Sequence, residues 1–172
     1  MVKRYPLSNK EIKELSNALG GLGSIVRGAD KVEIYELNET TTLYIVDGKP
    51  AIARLLVKWD SSQGEYVIPL LTYVYTNPGQ IPNYPAVVVD DGAVPHIVNG
   101  ADVMRPGIKE VSGSFGAGDL VAIKDLKGRV IAFGVSLVSS GELTGISRGK
   151  VIKVIHHIGD KLWNLARELE RK

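Results

Sequence analysis

A short proline-rich segment divides this chain of 172 residues into two parts. Residues 77–85 read NPGQIPNYP and carry three prolines and one glycine, which interrupt both helices and strands. A chain of this length forms one large domain or two small ones. We therefore predict two domains, residues 1–82 and residues 83–172, with the boundary near residue 82.

The first part has the patterns of an α+β domain. Ser8 and Glu11 have the spacing of a capping box, and apolar residues at helical spacing follow as far as a glycine pair. They predict a helix at about residues 8–19. Asp47 and Gly48 are typical of a tight type I′ hairpin between two strands. The predicted strands are at residues 31–37, 41–46 and 50–58.

Residues 65–76 of the first part are ambiguous. They are rich in β-branched and aromatic residues, but Pro69 would interrupt a central strand. Proline is accepted in the first turn of a helix. We therefore favour a strand at residues 65–68 followed by a helix at about residues 69–76.

The second part consists of short apolar segments separated by glycine turns. A turn after the first segment leads into a short predicted helix at about residues 93–99, and residues 101–118 are rich in glycine and loops. Asp160 can cap a last helix at residues 160–170. Several short strands with glycine turns are typical of a small barrel. The predicted strands are at residues 86–90, 119–125, 129–138 and 149–156.

Composition excludes several classes of protein and site. The chain has no cysteine, which excludes disulfides, thiolate metal sites and cysteine nucleophiles. No run of about 18 apolar residues is present, and no apolar segment follows the basic N-terminus, so we expect a cytoplasmic protein with no membrane partner. His156 and His157 are adjacent and lack a third ligand nearby, so we predict neither a metal nor a cofactor.

The start of the second part carries a specific motif. Residues 89–108 read VDDGAVPHIVNGADVMRPGI, which is a strand, an aspartate–glycine turn, a short helix and then a Gly-Ala-x-Val-Met-x-Pro-Gly-Ile pattern. This pattern resembles the beginning of a PUA domain, the RNA-binding module of pseudouridine synthases and archaeosine transglycosylases. The resemblance covers about residues 83–157 and continues at residues 118–121 (GDLV), 132–134 (AFG) and 149–150 (GK).

The rest of the chain narrows the resemblance. Residues 43–50 read LYIVDGKP and are similar to the pre-PUA domain of the malignant T-cell-amplified family, also called translation machinery-associated proteins. Residues 158–163 read IGDKLW and are similar to the ending of that family. The sequence therefore resembles an archaeal-type member over nearly its whole length. The implied fold class is α+β: an N-terminal α+β pre-PUA domain and a C-terminal PUA β pseudo-barrel with a terminal helix.

The resemblance implies a function without catalysis. The PUA domain would bind structured RNA, above all the acceptor end of tRNA, and the pre-PUA domain would dock on the small ribosomal subunit. The two domains would then act in initiation, reinitiation or recycling of translation, and a translation-factor protein as a further partner stays open. Two alternatives also stay open: a subunit that targets an enzyme modifying tRNA or rRNA, and an adaptor between proteins.

Basic residues point to an RNA-contacting stretch in the second part. Residues 1–82 hold nine basic and nine acidic residues, whereas residues 127–157 hold five basic residues and one acidic residue. Cations contact RNA phosphates, and glycines let an RNA backbone approach closely. The candidate RNA-binding residues are Gly92, His96, Gly100, Arg105, Gly107, Lys109, Arg148, Lys150 and Lys153.

These candidates also have structural interpretations. The glycines can serve turn geometry, and the charged residues can lie on a solvated surface. Lys127 and Arg129 flank a predicted hairpin turn, where a solvated position is the better interpretation. Of the adjacent residues His156 and His157, we expect one to be buried and one to lie at the surface, because neighbouring side chains of a strand point to opposite faces.

Overall fold

The computed structural model describes residues 1–170, which form two compact units. The first unit contains Met1–Pro82 together with the chain from Asn164 onward, and the second contains Asn83–Trp163. The division after Pro82 lies within the proline-rich segment. The sequence-based limits differ at the C-terminal end, because they assign all of residues 83–172 to the second domain. The last two residues of that range lie outside the described part of the chain.

The first unit is built on an antiparallel sheet of five strands that are neighbours in chain order. Three helices contribute to this unit in the range before Pro82. The strands are β1 (Lys3–Pro6), β2 (Val32–Asn38), β3 (Thr41–Val46), β4 (Lys49–Trp59) and β5 (Ser62–Pro69). The helices are α1 (Asn9–Ala18), α2 (Gly23–Val26) and α3 (Leu71–Thr76).

Helix α1 begins at the predicted capping box. Ser8 Oγ accepts a hydrogen bond from Glu11 N at 3.1 Å, and Glu11 Oε1 accepts one from Ser8 N at 3.0 Å. Two of the donors that lack a partner within the helix are thereby paired. Ile12 of α1 is buried in a cluster that includes Tyr44 and Ile52 of the sheet, so the apolar side of the helix covers one sheet face.

The predicted turn between β3 and β4 is confirmed, and the prediction around Pro69 needs a correction. Asp47 and Gly48 both have positive φ, 47° and 82°, as a type I′ turn requires. Pro69 is not in a helix but is the last residue of β5, where it pairs with Ile52 of β4. Strand β5 has a partner on one side only, and an edge strand tolerates a residue without an N–H group. Helix α3 therefore begins only at Leu71.

The second unit contains a curled sheet of six strands in the order β7-β11-β10-β9-β6-β8. Strands β6 and β9 are parallel, and the other neighbours are antiparallel. The strands are β6 (Ala86–Val89), β7 (Val103–Met104), β8 (Ile108–Ser112), β9 (Leu120–Lys124), β10 (Val130–Ser136) and β11 (Lys150–His157). The remaining helices are α4 (Val94–Ile97), α5 (Ser140–Leu143) and α6 (Lys161–Glu170). The predicted α+β class with a curled C-terminal sheet is confirmed.

Several elements were not predicted because their sequence signals are short or belong to edges. Strand β1 consists of four exposed residues, and β7 has only two residues. In β8 every residue after Ile108 is exposed, so no apolar alternation marks the strand. Helix α5 has a complete capping box of Ser139 and Glu142, which the sequence analysis did not use.

The interior of the second unit is closely packed around β10 and β11. A Cβ atom placed on Gly134 of β10 would stand 2.5 Å from Ile152 Cγ2 and 2.8 Å from Lys153 O. The register between the two strands shifts between Phe133 and Gly134. Glycine at this position therefore allows β11 to approach β10, since any larger residue would overlap it.

Helix α6 begins at the cap predicted from the sequence. Asp160 Oδ1 accepts a hydrogen bond from Trp163 N at 2.8 Å, which satisfies a free donor of the first turn. Ala166 and Leu169 on one side of the helix are buried. None of the helices within residues 1–170 combines the length and the apolar character that a membrane span requires.

Candidate nucleic-acid interface

A cavity of about 570 Å³ lies in the second unit and collects part of the predicted site. Three elements form its wall: the segment from the end of β6 through α4, the segment from Ala101 through the turn after β7, and the first residue of β11. Its apolar lining residues are Ala93, Ile97, Ala101, Val103, Met104 and Pro106. Its polar side chains are those of Asp90, His96, Asp102 and Lys150.

The turn between β6 and α4 is fixed by Asp90. Its Oδ1 accepts a hydrogen bond from Ala93 N at 2.8 Å, and its backbone N donates to Gly107 O at 2.9 Å. The first contact closes an aspartate turn, and the second ties that turn to the segment after β7. Asp90 therefore holds two walls of the cavity together.

Pairing between β7 and β11 places the predicted Lys150 at the cavity. Lys150 stands opposite Met104 in this short ladder, and Arg105 N donates to Gly149 O at 2.8 Å. Met104 is 50% exposed, and the side chain of Lys150 is 48% exposed. An accessible thioether and an ammonium group therefore lie side by side at one wall.

Asp102 holds strand β11 in place and lies close to the ammonium group of Lys150. Its Oδ1 accepts a hydrogen bond from Val154 N of β11 at 2.8 Å, while its Oδ2 lies 3.6 Å from Lys150 Nζ. At that separation the exposed ammonium retains donors that can turn toward a ligand. Lys150 thus supplies a positive charge at the cavity wall, next to the carboxylate of Asp102.

The three predicted glycines have different roles in the structure. Gly100 has a φ of +98°, so its backbone conformation requires glycine. A Cβ on Gly107 would stand 3.1 Å from Ala93 Cβ, so close packing favours glycine there. A Cβ on Gly92 would meet only Asp90 Oδ1, at 3.5 Å, and this residue is exposed. Fold requirements therefore account for Gly100 and Gly107, and only Gly107 lines the cavity.

Arg105 points into the fold rather than into the cavity. Its Nε donates to Leu143 O at 2.9 Å, and its Nη1 lies 3.4 Å from Ile108 O. The guanidinium thereby connects the turn after β7 with the end of α5 and with β8. These bonds use two of the five guanidinium donors, including the Nε that a side-on fork onto a phosphate would use. Arg105 is half-buried and does not line the cavity.

Of the remaining candidates, His96 is exposed and lines the cavity from α4, whereas the other three lie outside the cavity lining. Lys109 is an exposed residue of β8, and Arg148 is exposed in the segment just before β11. Lys153 is half-buried and stands opposite Val135 in the ladder between β10 and β11.

Arg129, in the turn between β9 and β10, forms its contact within that turn. Asp125 Oδ2 accepts a hydrogen bond from Arg129 Nε at 2.7 Å, so this arginine stabilises its own turn.

The two adjacent histidines differ in burial. His156 is fully buried with its Nδ1 2.9 Å from Asp160 Oδ2, whereas His157 is half-buried. His156 is thus the buried member of the pair, but His157 is half-buried and does not lie at the surface as expected. Within residues 1–170 no group of three potential ligands is arranged to hold a metal ion.

Most residues that line the cavity were not among the predicted site residues. Met104 could have been noticed as an apolar residue next to a proline turn, where nothing in the local pattern buries it. Asp102 and Ala101 gave no signal, because their roles depend on the distant strand β11. Pairing across about fifty residues brings these groups together, and no local pattern records it.

Comparison with known proteins agrees with this architecture. Residues 85–158 match the PUA domain family, and residues 3–60 match a domain of unknown function, DUF1947. An uncharacterized protein of Methanocaldococcus jannaschii is 31% identical over 167 residues, which cover 94% of this chain and 96% of that protein. The translation machinery-associated protein 20 of Saccharomyces cerevisiae is 29% identical, covering 98% of this chain and 85% of that protein.

A solved structure also matches nearly the whole chain. The crystal structure of a hypothetical protein from Pyrococcus horikoshii OT3 has 35% sequence identity and a TM-score of 0.73. The match covers 95% of this chain and 99% of that chain. The similarity to this structure therefore extends over both units of the chain.

Proposed function

Because this chain belongs to the family of archaeal PUA-domain proteins related to the translation machinery-associated proteins, we propose that it is a non-catalytic RNA-binding protein of translation. Its RNA ligand is the acceptor end of tRNA, bound by the second unit. The first unit docks on the small ribosomal subunit in the cytoplasm. Together they act in initiation, reinitiation or recycling.

One observation carries the proposal for the second unit: an open, largely apolar cavity with a cation and an imidazole at its wall. Met104 and Pro106 provide an exposed apolar surface against which an unpaired base can pack, and the buried Ile97 lies at the same cavity wall. Lys150 can reach a phosphate next to that base, and the exposed His96 can stack or donate a hydrogen bond. An unpaired 3′ end presents an accessible base next to a phosphate, whereas the bases of a regular stem are stacked inside the helix.

Other predicted residues would extend the contact along the RNA. Arg148 and Lys109 are exposed and available for phosphates, and Lys153 is partly accessible. Gly92 leaves an open surface at the turn before α4, and Gly100 contributes an exposed backbone after it. Arg105 acts indirectly in this proposal, by holding the turn that carries Met104 and Gly107.

The test is equilibrium binding of the full chain to deacylated tRNA with and without its 3′ CCA end, at two salt concentrations. The Lys150→Glu variant places a negative charge at the cavity, and Lys127→Glu makes the same charge change in the exposed turn before β10. We expect wild-type affinity to fall when CCA is removed, and Lys150→Glu to weaken binding at least tenfold while Lys127→Glu changes it less than threefold.

Each alternative outcome has a distinct meaning. If removal of the CCA end leaves the affinity unchanged but Lys150→Glu lowers it, the ligand of the cavity is a structured RNA other than the acceptor end. Equal losses in Lys150→Glu and Lys127→Glu would indicate attraction by charge alone. Absence of RNA binding at low salt would contradict the function and favour an adaptor between proteins.

A further inference from the structure

A second, polar cleft lies within the first unit, on a surface where the nine-to-nine charge balance marked no patch. Its volume is about 280 Å³. The chain after α2, the turn between β3 and β4, and the segment from α3 to Gln80 form its wall. The charged side chains that line it are Arg27, Asp47 and Lys49.

The even charge count conceals these cations because a count does not record which charges are paired with each other. Glu33 Oε2 accepts from Arg4 Nε at 2.9 Å, and Glu65 pairs with Arg54. Arg27 and Lys49 are exposed, and neither forms an ion pair or a side-chain hydrogen bond with a residue in the described range 1–170. Two exposed cations without such partners therefore line one small cleft.

Asp47 reduces the positive charge of the cleft without neutralising it. Its Oδ1 accepts a hydrogen bond from Lys31 N at 2.8 Å, which holds the carboxylate at the start of the β3–β4 turn. Among the lining residues, two positive charges face one negative charge. The cleft thus retains one excess positive charge and favours an anion over a cation.

Gln80 supplies a neutral donor whose direction is fixed by the fold. The hydroxyl of the buried Tyr73 donates to Gln80 Oε1, so the side-chain NH₂ is the end left for a ligand. Burial, and secondarily the charge of Asp47, raise the pKa of Tyr73, which keeps this hydroxyl protonated as a donor. Gln80 N also donates to Asn77 O at 3.1 Å, so the residue stands on a closed turn.

We propose that this cleft binds a phosphate of an RNA backbone, with Arg27 and Lys49 as cationic contacts and the Gln80 amide as a neutral donor. The proposal rests on the RNA-binding function proposed above, and it names the contact through which the first unit engages RNA of the small ribosomal subunit. A guanidinium, an ammonium and an amide together match the oxygens of one phosphate. RNA is favoured over an acidic peptide because the function proposed above gives the first unit a partner rich in RNA phosphates, the small ribosomal subunit.

The first experiment measures binding of the full chain to purified archaeal small ribosomal subunits over a series of salt concentrations. It compares the double variant Arg27→Ala/Lys49→Ala with Lys10→Ala/Lys13→Ala, which removes two exposed cations of α1 that do not line the cleft. We expect the cleft variant to lose about tenfold in affinity at low salt and to lower the slope of log K against log salt by about one, as for one phosphate contact. The control should stay within twofold of wild type.

The second experiment uses inorganic phosphate as the probe. In wild type, phosphate should shift the NMR resonance of the Gln80 side-chain amide, and Arg27→Ala/Lys49→Ala should abolish this shift. Gln80→Glu replaces the donor by a charge that repels phosphate, so it should weaken ribosomal-subunit binding as the double variant does. Thermal melting confirms that each variant is folded before binding is measured.

The outcomes separate this proposal from the proposed function. If Lys150→Glu weakens tRNA binding but the cleft variants bind ribosomal subunits like wild type, the cleft proposal is wrong and the function stands. If the cleft and α1 variants lose the same affinity, Arg27 and Lys49 contribute only general electrostatic attraction, and the cleft is not a specific phosphate site. Binding of a glutamate-rich peptide that depends on Arg27 and Lys49, with RNA binding unchanged, would assign the cleft to a protein partner instead.

Discussion

His156 Nδ1 lies 2.9 Å from Asp160 Oδ2, and the histidine side chain is completely buried. The same carboxylate accepts from His157 N at 2.9 Å and from Trp163 N at 2.8 Å. One aspartate therefore satisfies a buried imidazole, the end of β11 and the first turn of α6. This arrangement couples the last strand of the second unit to the start of the C-terminal helix.

Removing this carboxylate should destabilise the chain. Asp160→Ala takes away a helix cap and removes the carboxylate that contacts the buried His156 Nδ1, so we expect the free energy of unfolding to fall by about 2–3 kcal/mol. Asp160→Asn keeps the capping oxygen and should lose less. Chemical denaturation of both variants at pH 7 measures the difference. A loss in Asp160→Ala no larger than in an exposed Asp→Ala variant, such as Asp91→Ala, would contradict this role.

Stability should also depend on the ionisation of Asp160. Burial alone raises the pKa of Asp160, but the hydrogen bond and charge of His156 and the backbone donors of Trp163 and His157 outweigh burial, so its pKa lies below the usual value. A carboxyl with a lowered folded-state pKa contributes stability above its unfolded pKa of about 3.9, and this contribution is lost as pH falls through the folded pKa. Wild type should therefore lose more stability below about pH 4 than Asp160→Asn does. If the free energy of unfolding falls with pH equally in wild type and Asp160→Asn, the ionisation of Asp160 does not contribute to stability.

Gly134 should be intolerant of even one added methyl group. Gly134→Ala places a Cβ against Ile152 Cγ2 and Lys153 O, which must move apart, and we expect a loss of about 1–3 kcal/mol. Gly79→Ala is the matched control, because no atom lies within 4 Å of a Cβ placed there. The control should change the free energy of unfolding by less than about 0.5 kcal/mol. Thermal or urea unfolding distinguishes the two.

Arg105 should affect stability more than RNA affinity. Arg105→Ala removes the hydrogen bonds to Leu143 O and Ile108 O, and we expect the free energy of unfolding to fall by about 1–2 kcal/mol. The folded variant should bind tRNA within threefold of wild type and with the same salt slope, since no phosphate contact is lost. A slope reduced by about one would instead assign Arg105 to the RNA.

Filling the cavity should weaken RNA binding without changing its salt dependence. Ala101→Trp places a large ring in the cavity from an exposed position, so an unpaired base is excluded while the cations remain. We expect at least a tenfold loss of affinity for tRNA with its CCA end and an unchanged salt slope. Ala117→Trp makes the same change at an exposed residue that does not line the cavity. Equal effects of the two substitutions would contradict base binding in the cavity.

Local patterns predicted the elements that local chemistry determines. The Ser8–Glu11 capping box, the turn at Asp47 and the cap at Asp160 are each formed by groups within four residues of each other, and all three are present. Pro69 was misplaced because its tolerance depends on β5 being an edge strand, which follows from the order of strands in the sheet.

The candidate site was only partly predictable for the same reason. Lys150 and His96 were selected from charge and motif, and the fold brings them to one cavity. Arg105 was selected by the same criterion, yet its partners are the backbone oxygens of Leu143 and Ile108. A guanidinium can donate either to a phosphate or to a backbone carbonyl oxygen, so the sequence leaves its partner open.

The sequence by itself determined the two-part organisation, the helix caps, the tight turns and the family motif, because these depend on residues close together in the chain. Only the tertiary structure decided which side chains share a space. Pairing of β7 with β11 builds the cavity around Lys150, and the return of α3 toward the β3–β4 turn brings Gln80 to the cleft of Arg27 and Lys49. Such contacts arise from packing between distant segments, which a local pattern does not encode.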